Sequence, residues 1–219
     1  MKFIELYESY WKEFINFKNN HENLSNPLLL NYSIGYEDQE TKLFIIGQQT
    51  QSWYDNIIID DTRKSILGLM KIYVNEFRLG LSGPFSPFWK AARVLEDELN
   101  INSGSIMWSN LNKVDQDAKR PSEEIESKIL DIFPVLKKEI RLATPDIILF
   151  FTGPFFDGHI ERIFQGVRFK AVEGHEERKF ARLIHTDLPQ KSFRTYHPNF
   201  LQRQGLTNEV LDLILNLVK

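Results

Sequence analysis

LFIIGQQTQ, residues Leu43 to Gln51, sets four apolar side chains and a glycine directly against a run of amides and a hydroxyl. A short apolar run closed by Gly reads as a buried strand, Leu43 to Ile46, whose C-terminal end delivers polar groups into a cleft. In open α/β sheets ligands bind at that end, because strand tips and helix N-termini converge there. A site built around Gly47, Gln48, Gln49 and Thr50 is therefore the first expectation.

Outward from this strand, the pattern alternates. Phe3, Ile4, Tyr7, Trp11, Phe14 and Ile15 recur at helical spacing and predict an amphipathic helix over residues 3 to 18. Residues 19 to 40 read as a long connection. After the first strand, TQSWYDN reads as a loop, and a helix is expected from Asp61 to Leu79. Ser86 is a candidate N-cap with Pro87 at the first position of the next helix, where its missing N–H costs nothing. A second strand, Ser105 to Ser109, runs into Asn110, Leu111 and Asn112. A helical segment from Ser122 to Leu142 carries a break at Pro134. The third strand, Asp146 to Phe151, closes on Thr152-Gly153-Pro154. Further strand candidates are Val167 to Val172, Lys179 to Ile184 and Ser192 to Tyr196, the last stopped by His197-Pro198. Gly205 and Thr207 introduce a terminal helix. Strands alternating with helices predict a largely parallel sheet covered on both faces. Right-handed crossovers then put Gln49, Asn110, Gly153 and His197 along one rim.

The composition narrows the chemistry. At 219 residues, 42% hydrophobic and 26% charged, the chain fits one globular domain, with residues 1–40 as an N-terminal helical extension packed on it. It has no cysteine, which excludes disulfides, thiolate zinc sites and Cys-held iron-sulfur clusters. No standard metal spacing occurs, so neither metal nor other cofactor is expected. The start lacks a basic head before an apolar stretch, and no long apolar run occurs, so a cytoplasmic protein without a membrane partner is expected. The net charge of −3 disfavours indiscriminate polyanion binding. Yet His159 to Gly205 holds nine basic and five acidic residues, whereas Met1 to Glu40 holds three basic and seven acidic. That asymmetry suits a polyanion met by one face.

GxSxG, GxxxxGK, GxGxxG and HExxH are all absent. What remains on the predicted rim is a set of amides, one histidine and many aromatics. Amides can pair with the edge of a flat heterocycle, an aromatic can cover its face, and a histidine can donate to an oxygen where charge develops.

The order of IIGQQT, GPFSPFWKA, IMWSNLNKV, DIILFFTGPF and TYHPNFLQRQG, from about Leu43 to Lys219, resembles the uracil-DNA glycosylase superfamily. The resemblance implies a three-layer α/β/α fold with a central, mostly parallel four- to five-stranded sheet. It implies a monomer that binds single- or double-stranded DNA and hydrolyses the N-glycosidic bond of a flipped uracil-like base. Gly47 and Gln48 then belong to the substrate site, and Gln49 stands where members keep an acid or an asparagine that orients the attacking water. Glutamine holds a water but cannot take its proton; Asp55 is the substitute on the same loop. Asn110 takes the base-reading role, with Asn112 as the alternative, and His197 donates to the departing base. Ser86 and Gly153 sit where relatives grip phosphates, Trp53 or Tyr54 is placed to stack on a base, and Phe200 and Leu201 fall at the apolar wedge. Two other readings stay open: an inactive nucleic-acid or nucleobase binder on the same fold, and a small-molecule hydrolase unrelated to DNA.

Overall fold

A computed structural model describes residues 2–53, 61–76, 81, 86–172 and 174–219. Its strands are β1 (Leu43–Gln49), β2 (Met107–Asn112), β3 (Ile147–Phe151), β4 (Arg168–Ala171), β5 (Phe180–Ile184) and β6 (Lys191–Thr195). They form one six-stranded sheet in the order β2-β1-β3-β6-β5-β4, more strands than the expected four to five. β2, β1, β3 and β6 run parallel, and β5 and β4 continue the sheet antiparallel to the edge. Within the parallel part, β1 opens on and β3 consists of a continuous apolar run, as expected of central strands covered on both faces.

The described helices are α1 (Phe3–Asn19), α2 (Thr62–Lys71), α3 (Pro87–Glu98), α4 (Glu123–Ile132), α5 (Leu136–Ala143), α6 (Asp157–Ile163), α7 (Pro198–Gln204) and α8 (Thr207–Val218). α1 contacts α2, α4 and α5, whereas α3 contacts α7 and α8. Neighbouring residues of β2 show why these are two layers. Trp108 packs against Phe88 and Trp89 of α3, while the next side chain, Ser109, accepts from Lys113, the ion-pair partner of Glu139 on α5. Successive strand residues point to opposite faces, so one strand feeds both layers.

Local chemistry sets most boundaries. Asp61 caps α2, Ser86 caps α3 ahead of Pro87, and Ser122 caps α4, each accepting from a backbone N–H three residues on. Pro134 separates α4 from α5, as expected of a residue with no N–H to donate. The α2 helix continues through a π-helical turn, Ile72–Glu76; the rest of the expected helix, residues 77–79, lies outside the described residues.

Two strands run further than the sequence suggested. β1 does not stop at Gly47 but continues to Gln49, with Gly47 opposite Asn110 and Gln49 opposite Asn112 on β2. Asn110 and Asn112 are accordingly strand residues, not turn residues. A further helix, α7, capped by His197 and started by Pro198, occupies residues 198–204, where the sequence pattern predicts no element.

The N-terminal segment joins the main core. Phe3, Leu6, Tyr7, Trp11 and Phe14, together with Leu28, Leu29 and Leu30, belong to the same buried cluster as the central strands. No described helix is long and apolar enough to cross a membrane.

Candidate functional site

The C-terminal ends of the parallel strands open onto a cleft of about 810 Å³, within the usual size of ligand sites. Gly47, Gln48, Gln49 and Thr50 enter it from β1, Asn110 from β2, Thr152 and Gly153 from the end of β3, and His197 from the end of β6. Ser86 and Phe200 also line it, so most of the residues singled out in the sequence share one cavity. Tyr54 and Asp55 lie outside the described residues. Leu201 does not reach the cleft: it is 2% exposed, on the buried side of α7, so it is no exposed wedge.

Gly47 is required by close approach. A Cβ there would lie 2.4 Å from Asn110 Oδ1 and 3.4 Å from the Phe88 ring, so a larger residue would displace the Asn110 amide from its present place at the cleft. Gly153 is required by conformation instead, with φ of +76° where β3 turns into its short Pro154–Phe156 helix.

The polar groups divide into two sets. Gln48 is structural: its amide Nε2 donates to the Thr152 carbonyl at 2.7 Å and ties β1 to the end of β3. In contrast, Gln49 Oε1, Thr50 Oγ1, Asn110 Nδ2 and Thr152 Oγ1 are buried and have no hydrogen-bond partner among the described residues. Each such orphan costs about 1–3 kcal/mol. All four belong to residues that line the same cavity, and buried polar groups of folded proteins are ordinarily paired by protein, water or a ligand.

His197 is held in one protonation state and one tautomer. Its Nδ1 accepts the Asn199 backbone N–H at 3.2 Å, which leaves the proton on Nε2. Burial, with Arg203 nearby, lowers its pKa to about 4, so the ring is neutral at neutral pH. It lies 5.7 Å from the Phe88 ring at 24°, a stacked arrangement that fixes its plane. The result is a neutral N–H donor at the cleft, held by a cap and an aromatic platform.

Aromatic walls complete the cavity: Trp53, Phe88, Trp89, Trp108, Phe155, Tyr196 and Phe200. Trp53 stands edge-on to Trp108 at 5.9 Å, and Phe200 stacks on Tyr196 at 4.4 Å. The charged residues lining the cleft are Lys119, Arg120 and Arg203; no carboxylate lines it among the described residues. Arg120 is bidentate to Glu126 and covers the Phe156 ring, so part of its charge is neutralised locally. Among the described residues, no group of three or more His, Asp or Glu is placed to hold a metal ion.

Several of these residues were not legible as site residues. Phe88 read as a core position and turns out to support His197; Thr152 read as punctuation; Arg203 gave no signal beyond the basic surplus of its region. Asp115 is the clearest omission. Buried after β2, its carboxylate accepts from the backbone N–H groups of Ser52 at 3.1 Å and Trp53 at 3.3 Å, and so holds the loop that follows Gln49. Within the basic region, Arg194 is withdrawn into the core, paired with Asp157.

No family model matches the chain, and no curated protein matches it in sequence.

Proposed function

We propose that the cleft receives a single flat, uracil-like base flipped out of DNA, and that the chain is a glycosylase-like protein hydrolysing the bond between that base and its sugar. The observation that carries this reading is the convergence of a neutral His197 Nε2–H donor with the unpaired Gln49 Oε1 and Asn110 Nδ2 on one aromatic-walled cavity. The order of segments that resembles the uracil-DNA glycosylases supports it from a different direction.

The chemistry follows from charge. As the glycosidic bond lengthens, electrons flow to the base and negative charge builds on its carbonyl oxygen, while the sugar becomes cationic. A neutral N–H aimed at that oxygen stabilises the departing anion without first protonating it, an effect worth roughly two to three powers of ten in rate. Water held at Gln49 adds to the sugar carbon, and the proton it sheds ends on the base anion or in solvent. The step therefore balances without a carboxylate base, although it forgoes the rate that a base would add, typically about 10²–10⁴-fold.

A second reading is favoured by that same composition. A cleft without a carboxylate among its described lining residues fits a protein that binds nucleic acid or a free base without cleaving it.

Single-turnover release of uracil and other altered bases from labelled single- and double-stranded oligonucleotides separates the two. The glycosylase reading expects base release that falls at least about 100-fold in His197→Ala and also falls in Asn110→Ala. Absence of release from every base, with salt-dependent binding retained, selects the binder. Loss of both release and binding contradicts both readings.

A further inference from the structure

We infer that Phe155 is a stacking platform for an unpaired base of the nucleotide flanking the one held in the cleft; this rests on the nucleic-acid reading above. Phe155 is 77% exposed and is the one aromatic among the large apolar side chains found exposed in the described residues. Exposing a phenyl ring to water is unfavourable, and nothing in the core requires it there.

Its backbone is fixed. Gly153 N–H donates to the Thr195 carbonyl at 2.9 Å, the Phe156 N–H donates back to Gly153, and the Pro154–Phe156 turn leads directly into α6. The next residue, Phe156, is buried under the Arg120 guanidinium at 4.3 Å. One ring of the pair anchors the turn, and the other is held out.

Its location suits a strand leaving the cleft. Phe155 lines both the cleft and a neighbouring hollow, standing on the ridge between them. The exposed Arg178 places its guanidinium 5.5 Å from the ring, so a cation that can meet a phosphate accompanies the apolar face. Polarity sets the direction. The neighbouring hollow is lined by four acids, Glu123, Glu124, Glu126 and Asp131, and three cations, Arg120, Lys128 and Arg162, whereas the described lining of the cleft carries Lys119, Arg120 and Arg203 and no acid, so the cleft side is the more positive of the two.

The test uses the full chain with a fluorescein-labelled single-stranded oligothymidylate carrying one central uracil. Phe155→Ala weakens binding about tenfold, as expected for removal of one base–aromatic stack, and Phe155→Trp restores it. The slope of log affinity against log salt stays unchanged, since the lost contact carries no charge. An oligonucleotide with an abasic site beside the uracil binds wild type and Phe155→Ala equally, and so does deoxyuridine monophosphate, which has no flanking base. Equal affinity of wild type and Phe155→Ala for the intact oligonucleotide overturns the inference. If release or binding still depends on His197 in that case, the reading of the cleft stands without it. Failure of wild type to bind the oligonucleotide at all overturns both.

Discussion

His197 carries the account at the scale of single residues. Its Nδ1 is occupied by the Asn199 N–H, and burial holds the ring neutral with a pKa of about 4. On the glycosylase reading, base release is therefore expected to be flat from about pH 8 down to about pH 5, changing only as Nδ1 takes a proton and gives up the Asn199 N–H. The stability linkage has a definite sign. The unfolded ring titrates near 6.5 and the folded one near 4, so the unfolded chain binds more protons between these values. Stability present above pH 6.5 is lost as pH falls toward 4, and denaturation curves of His197→Gln lack that share of the loss. Gly47 supplies a second test at this scale. A methyl group there meets Asn110 Oδ1, so Gly47→Ala shifts Asn110 or separates β1 from β2. We expect a loss of about 1–3 kcal/mol in urea denaturation, with ligand affinity falling as well. Unchanged stability and affinity would show that Asn110 is free to move aside.

At the scale of elements, the loop after β1 and the helix α3 position the site. Asp115 holds Ser52 and Trp53 by two backbone N–H groups. Asp115→Ala strands both donors and costs about 1–3 kcal/mol, and quenching of Trp53 fluorescence by iodide increases as the loop loosens. On α3, the Glu96 side chain is buried, with its carboxylate 2.5 Å from Arg93 and 3.0 Å from the Gly104 N–H. Burial dominates over both partners and raises its pKa from 4.5 to about 7. Here the folded state holds the extra proton, so stability is greatest below pH 4.5 and declines as pH rises through 7. Glu96→Gln removes that decline in thermal melts taken between pH 5 and 8. These cases also show what the sequence reveals. Caps and breakers such as Ser86, Ser122 and Pro134 act on their own neighbours, so their effect is visible locally. The extension of β1 through Gly47 depends on Asn110, sixty-three residues away, and the roles of Asp115 and Phe88 depend on partners roughly as distant or more so in the chain. Such pairings are set by packing, and no local pattern encodes them.

For the whole molecule, a buried polar network ties the N-terminal segment to the sheet and the α5 layer. Glu139 lies 2.5 Å from Lys113 Nζ and accepts from Tyr7 at 2.7 Å, while the Tyr7 hydroxyl accepts the Leu30 N–H and Lys113 also donates to Ser109. Burial raises the Glu139 carboxyl and lowers the Lys113 ammonium, and their mutual attraction opposes both shifts. Lys113→Met alone leaves an uncompensated buried acid and costs about 3–5 kcal/mol in guanidinium denaturation, while adding Glu139→Leu recovers most of it. Recovery by the pair and not by either variant alone identifies a coupled network across layers. The same frame brings four strand ends to one cleft, and that convergence is the central claim. It is tested most directly by side-chain 15N NMR of the full chain during titration with a uracil-containing single-stranded oligonucleotide bearing a 2′-fluoro sugar at the uracil, which slows cleavage. The account predicts that the Asn110 amide and His197 Nε2 resonances shift together and saturate at one ligand per chain, while His197 remains neutral. Saturable binding that leaves both resonances in place would contradict it.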